Sequence, residues 1–178
     1  MVFDDLPEDR ARELLLRCLS APGWADRVLS GRPYGTRQQL IAAADQAARE
    51  LSEDDLAAAL AGHPRIGERP GVAHNAAASA REQAGVVSLR DGSSLVSSGQ
   101  ATRSTDEAGR STVVELAEGN RAYEERFGHV FLIRAAGRTG PDILAELRRR
   151  LGNPPEVESE ETLDNLRQIA LLRLEGEV

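Results

Sequence analysis

The sequence predicts an all-α fold, and three observations carry that prediction. The 40% hydrophobic fraction is built mainly from Ala and Leu, with aromatics at only 3% and few β-branched runs between them, a composition that favours helices. Apolar residues recur at three-and-four spacing along much of the chain. Capping residues and Gly or Pro breaks cut these stripes at helical lengths. A chain of 178 residues suffices for one domain that buries about 70% of its unfolded surface. The expectation is therefore a single compact multi-helix domain over residues 1–178.

The elements follow in order. Leu6-Pro7-Glu8-Asp9 opens a helix whose stripe is Ala11, Leu14, Leu15, Cys18 and Leu19, Pro and acids both suiting a first turn. Ala21-Pro22-Gly23 stops it. A short segment with Trp24, Ala25, Val28 and Leu29 runs to the break at Gly31-Arg32-Pro33-Tyr34-Gly35. Thr36 caps the next helix, striped by Leu40, Ala43, Ala44, Ala47, Ala48 and Leu51, and Ser52 caps another over Glu53 to Ala61. Gly62 is read as its left-handed C-terminal residue. Residues 73–84 are alanine-rich and close at Gly85. From Asp91 to Thr112 the chain is rich in Ser, Gly and Thr with almost no large apolar residue, which predicts a mobile loop. A helix is expected from Val113 to Glu125. The apolar run Val130-Phe131-Leu132-Ile133 fits either an extended segment or a buried helical turn. Pro141 starts a helix through Leu151, Asn153-Pro154-Pro155 ends it, and Thr162 to Leu174 forms the last. No internal repeat is visible.

Composition excludes several functions. The formal charge of −7 and pI near 5.1 give no electrostatic footprint for nucleic acid or an anionic membrane surface. All 22 basic residues are Arg, so a Schiff-base lysine, a pyridoxal phosphate anchor and a Walker lysine are impossible. The one cysteine, Cys18, can form no internal disulfide or thiolate metal site, which suits the cytoplasm. Neither end carries a recognisable leader or address, and no apolar run approaches the ~20 residues of a membrane span.

Four groups of residues can carry chemistry. None of His63, His74 and His129 is paired with a ligand-type residue at helical zinc spacing, so no metal is expected. His63 sits just past a helix end and is followed by Pro64; it is either a positioned proton carrier or an exposed loop histidine favoured by the helix dipole. Ser79, Glu82 and Gln83 share one face of a helix and can hold a planar polar ligand, or decorate a solvated face. Arg173 falls inside the stripe of Leu163, Leu166, Ile169, Ala170 and Leu174. It needs an anionic partner there, Glu82 or a ligand carboxylate, unless it snorkels to water.

These islands, taken in order, resemble the 2-oxo-4-hydroxy-4-carboxy-5-ureidoimidazoline (OHCU) decarboxylase family. Trp24-Ala25 and Arg32-Pro33-Tyr34 resemble its early landmarks, His63-Pro64-Arg65-Ile66-Gly67 its His-Pro motif, and Ser79-Ala80-Arg81-Glu82-Gln83-Ala84-Gly85 its Ser-x-x-Glu-Gln-x-Gly segment. Asn120 and Tyr123 lead into Arg126-Phe127-Gly128-His129-Val130-Phe131-Leu132-Ile133. Arg148-Arg149-Arg150-Leu151-Gly152-Asn153 is similar to the Arg-Leu-x-Asn element, and Ile169 to Leu174 to the closing Ile-x-x-Leu-Arg-Leu. The Ser-rich stretch is longer than the family's usual connection.

The resemblance implies an all-α homodimer that decarboxylates OHCU to (S)-allantoin in urate degradation, without cofactor or metal. It assigns catalysis to His63 and Glu82, and substrate binding to Pro64, Ser79, Gln83, Phe131, Ile133, Ala135 and Arg173. The chemistry agrees: electrons left by departing carbon dioxide can enter the substrate's unsaturated ring, so the protein need only orient, desolvate and deliver a proton. Two other functions stay open on residues alone, a non-catalytic helical ligand-binding or adaptor protein and a hydrolase of the preceding urate intermediate.

Overall fold

The computed structural model describes residues 2–66 and 102–178, with side chains in the second span from residue 112 onward. Among these residues there are eight helices and no strand, as the composition predicts. The chain divides into two compact units, Met1–His63 with Glu160–Val178, and Pro64–Ser159.

The first unit holds α1 (Val2–Asp5), α2 (Glu8–Cys18), α3 (Pro22–Ser30), α4 (Arg37–Arg49), α5 (Glu53–Ala61) and most of α8 (Pro155–Glu177). α3 packs against α2, α4 and α5. Its Trp24 is fully buried and donates from Nε1 to the Ala44 carbonyl at 2.9 Å, so the large ring brings its polar atom a partner. The expected caps are in place: Thr36 Oγ1 accepts from Gln39 N, and Ser52 Oγ from Asp55 N. Gly62 departs from expectation. Its φ of −82° is right-handed, and α5 is closed instead by Gly62 N donating to Ala58 O and His63 N to Leu60 O.

Arg32-Pro33-Tyr34 proves to be a structural clasp. Arg32 Nη2 donates to the carbonyls of Asp4 and Leu6, at 2.6 and 2.5 Å, while the Asp4 carboxylate accepts from the backbone N–H groups of Tyr34 and Gly35 at 2.9 Å each. Those two amides hold the Asp4 carboxyl below its ordinary pKa.

The second unit is built on α6 (Thr102–Phe127) and α7 (Gly140–Arg150), which pack together. Leu116, Tyr123, Ile143, Leu144 and Leu147 form its apolar core with Ile66, Phe131, Ile133 and Ala135. A Cβ at Gly119 would stand 2.5 Å from Leu147 Cδ2, so the missing side chain is what lets α6 and α7 approach. α7 begins with a reciprocal capping box between Thr139 and Asp142 and has Pro141 in its first turn.

Two boundaries differ from the sequence expectation. α6 starts at Thr102, so the last part of the predicted 91–112 loop is helical; once the packed half of a helix is nucleated, adding polar turns is easy. Residues 91–101 lie outside the described residues. α8 starts at Pro155 rather than Thr162, because a proline lacks only an N–H that a first turn leaves unpaired, and Glu156 and Glu158 favour that turn.

Gly128 ends α6 with φ +77°, its N–H donating to Glu124 O at 2.9 Å, and a Cβ there would meet nothing within 4 Å. The demand for glycine is thus conformational. Gly128→Ala is expected to destabilise the protein by about 1–2 kcal/mol, read as a lower urea midpoint at unchanged slope; an unchanged midpoint would show that a left-handed residue is not required.

Candidate active site

His63 lies at the end of α5 and is buried, with 8% of its surface exposed, so it is not an exposed loop residue. Its ring Nδ1 is 2.7 Å from the Ala59 carbonyl. A carbonyl only accepts, so Nδ1 carries a proton, and Nε2 is the ring nitrogen whose protonation distinguishes the neutral from the charged form. The backbone N–H of His63 also donates to Leu60 O at 3.1 Å. Both tethers come from α5, and together they fix ring and tautomer.

Arg173 is buried in the same unit, 8% exposed, on α8 beside Ile169, Ala170 and Leu174. It does not snorkel. Its Nη1 donates to the Cys18 carbonyl at 3.4 Å, which ties the guanidinium to the C-terminal end of α2. Burial pushes the Cys18 thiol up to about 12, so at neutral pH it stays protonated and is no nucleophile.

Pro64 opens the second unit. The two residues after it are held by α6: Asn120 Nδ2 donates to the Ile66 carbonyl at 3.0 Å, and Arg65 makes a two-pronged pair with Glu124 at 2.5 and 2.7 Å. Asn120 and Glu124 are four residues apart, on one face.

The run 130–135 is neither helix nor strand, which settles its ambiguity. Phe131, Leu132, Ile133 and Ala135 are buried, and Ile66 shares an apolar cluster with Phe131, Ile133 and Ala135. The second unit therefore brings the residues after Pro64 together with this segment.

Behind the segment lies a network that sequence reasoning missed. Arg150, buried to 1%, donates from Nε and Nη2 to Glu158 Oε1 at 2.9 and 2.5 Å and from Nη1 to the Leu132 carbonyl at 2.7 Å. The Tyr123 hydroxyl donates to Glu158 Oε1, and Asn153 Nδ2 to Oε2 at 2.8 Å. The signal was present: Arg150 continues the stripe Ile143, Leu144 and Leu147, just as Arg173 continues its own.

Ser79, Glu82 and Gln83 lie outside the described residues, as does His74. His129 contacts the Tyr123 and Phe127 rings, with centroids 5.5 and 6.5 Å away. Among the described residues no group of three or more His, Cys, Asp or Glu is placed to hold a metal ion, and no helix is long and apolar enough to cross a membrane.

Residues 4–175 match the family model described as OHCU decarboxylase. The chain is 27% identical over 154 residues to the 2-oxo-4-hydroxy-4-carboxy-5-ureidoimidazoline decarboxylase of Haloferax volcanii, covering 86% of this chain and 80% of that protein. It is 28% identical over 157 residues, 88% of its length, to the uric acid degradation bifunctional protein TTL of Arabidopsis thaliana, of which it spans 44%. A crystal structure of OHCU decarboxylase in the presence of (S)-allantoin superposes with a TM-score of 0.65 at 26% identity, covering 91% of this chain and 94% of that one. A crystal structure of (S)-allantoin synthase shares the fold, with a TM-score of 0.65 at 18% identity over 99% of this chain and 53% of that one.

The Arg65 guanidinium holds the Glu124 carboxyl below its ordinary 4.5. A carboxylate with a depressed folded-state pKa stabilises the fold above its unfolded value and loses that contribution as pH falls through the folded one. Glu124→Gln should therefore lower Tm at pH 7, and the gap to the parent should close as pH drops below about 4.5. A gap that persists unchanged at acid pH would show that the pair's charge is irrelevant.

Proposed function

This chain belongs to the OHCU decarboxylase family, and we propose that it converts OHCU to (S)-allantoin in urate degradation, unaided by metal or organic cofactor, with His63 as the proton donor. The buried His63, its ring fixed by the Nδ1–H contact with Ala59 O, is the observation that best supports this reading.

The substrate carries its carboxylate on a hydroxyl-bearing carbon of the imidazoline ring, next to the unsaturated ring carbon that bears the ureido group. When the bond to the carboxylate breaks, carbon dioxide leaves and its electron pair passes into the ring. The imidazolium form of His63 then gives its Nε2 proton to one face of the neighbouring ureido-bearing ring carbon, which sets the product's hand, while the hydroxyl gives up its proton to the ring nitrogen and becomes the product's carbonyl; His63 returns to neutral imidazole without losing the Ala59 tether. Water restores the proton.

Arg173 offers two parallel donors to the substrate carboxylate or a neighbouring oxyanion, the geometry a guanidinium provides and an ammonium does not. Glu82 orients His63 or holds a ring nitrogen, and Ser79 and Gln83 read the ureido and carbonyl groups. Pro64, with the backbone at Phe131, Ile133 and Ala135, completes the proposed substrate contacts, the amides binding an oxygen. A homodimer in the cytoplasm belongs to the same proposal and is carried by the resemblance.

The substrate is generated in the cuvette from urate, and circular dichroism follows optically active allantoin with and without the protein, in the presence of a chelator. Acceleration that survives the chelator is expected; a rate lost to the chelator and restored by a divalent metal would contradict metal-free catalysis. His63→Ala should lower turnover by about 10²- to 10⁴-fold with the fold intact, and wild-type turnover in that variant would remove the assignment.

Arg173→Lys should weaken turnover clearly. Arg173→Met should nearly abolish it at equal or higher Tm, because an apolar side chain is easier to bury than a charge. An Arg173→Met protein that is largely unfolded, but whose folded fraction keeps full activity, would make Arg173 a structural residue only.

A further inference from the structure

Arg150 and Glu158 are each about 1% exposed at the side chain. A buried ion pair of this kind is weak evidence for stability, because apolar residues of similar volume often serve as well. What such a pair supplies here is direction. Glu158 takes Nε and Nη2 of Arg150, which leaves Nη1 aimed at the Leu132 carbonyl at 2.7 Å. The same guanidinium lies 4.9 Å from the centroid of the Phe131 ring. Arg150 thus holds two consecutive residues of the 130–135 segment, one by its ring and one by its carbonyl.

The consequence follows from peptide geometry. In a planar trans peptide the carbonyl and the next N–H point to opposite sides. With the Leu132 oxygen drawn toward Arg150, the Ile133 N–H is turned away from it. The segment has no helical or strand pairing to fix this peptide plane, so the Arg150 contact sets it.

We propose that Arg150 is a positioning residue for the decarboxylation: by holding the Leu132 carbonyl and the Phe131 ring, it orients the Ile133 amide as a fixed donor to the substrate oxygen on which charge grows as carbon dioxide leaves. This rests on the reading of the Phe131 to Ala135 backbone as part of the substrate site. Tyr123, Asn153 and Glu158 act one step further back, by fixing the guanidinium. A preorganised donor of this type acts on the transition state more than on the bound substrate.

The test compares wild type, Arg150→Lys and Tyr123→Phe. Arg150→Lys keeps the charge but cannot hold Glu158 and Leu132 together, and Tyr123→Phe removes one hydroxyl from Glu158 while keeping the packing. Steady-state circular dichroism gives kcat and KM, normalised to the folded fraction. Arg150→Lys is expected to lower kcat by about tenfold or more with KM within about twofold, and Tyr123→Phe to lower kcat in the same direction by less. In nitrogen-proton spectra, the Ile133 amide should shift on adding (S)-allantoin to wild type, and shift less in Arg150→Lys.

Variants that lose Tm while their folded fraction keeps wild-type kcat would overturn the proposal, as would a raised KM at unchanged kcat. If Arg150→Lys does not fold, unchanged kcat in Tyr123→Phe together with an Ile133 amide indifferent to allantoin has the same force. A wild-type protein that forms no optically active allantoin would instead overturn the decarboxylase reading, and this proposal with it.

Discussion

The buried pair of Arg150 and Glu158 is the constraint on which the second unit depends. It joins the end of α7 to the first turn of α8, takes in Tyr123 from α6, and reaches the irregular 130–135 segment through the Leu132 carbonyl. Removing one member would leave a charge stranded out of water, a penalty of about 3–5 kcal/mol. Apolar packing alone tolerates sliding between similar side chains. A guanidinium with named partners on several sides tolerates much less, so a segment without secondary structure acquires a defined backbone.

The first unit reaches definition differently. His63 is fixed by carbonyls of its own helix, Ala59 and Leu60, groups that a helix C-terminus leaves unpaired in any case. Arg173 touches another such group, the Cys18 carbonyl at the end of α2. Helix ends thus serve as acceptors for both His63 and Arg173. The exclusive use of arginine is consistent with this economy, since a guanidinium stays charged when buried and can donate in several fixed directions at once, where a buried lysine would tend to lose its proton.

Local signals were the most legible in the sequence. Ser52 and Gly62 bracket α5 at Glu53–Ala61, and Pro141 locates the start of α7. Arg173 was readable because a charge in an apolar stripe is conspicuous. Arg150 obeys the same register and was obscured by Arg148 and Arg149, which face solvent. Glu158 was not legible, because it stands among Glu156, Glu160 and Glu161, and only the tertiary fold selects which carboxylate is buried. Pro155 read as a terminator because proline both ends and begins helices, and the handedness expected of Gly62 failed because ordinary backbone bonds close α5. The histidine could be located from His63-Pro64, but its tautomer depends on a contact with Ala59 that no pattern announces.

Proton delivery by His63 is tested most directly by nitrogen NMR of the histidine-labelled protein, with His63 assigned through His63→Ala. The geometry predicts a neutral imidazole protonated at Nδ1, whose Nε2 alone changes state as pH falls while the Nδ1 proton remains slow to exchange. A neutral ring protonated at Nε2, with Nδ1 as the titrating nitrogen, would contradict the Ala59 tether and the proton donor assigned to it.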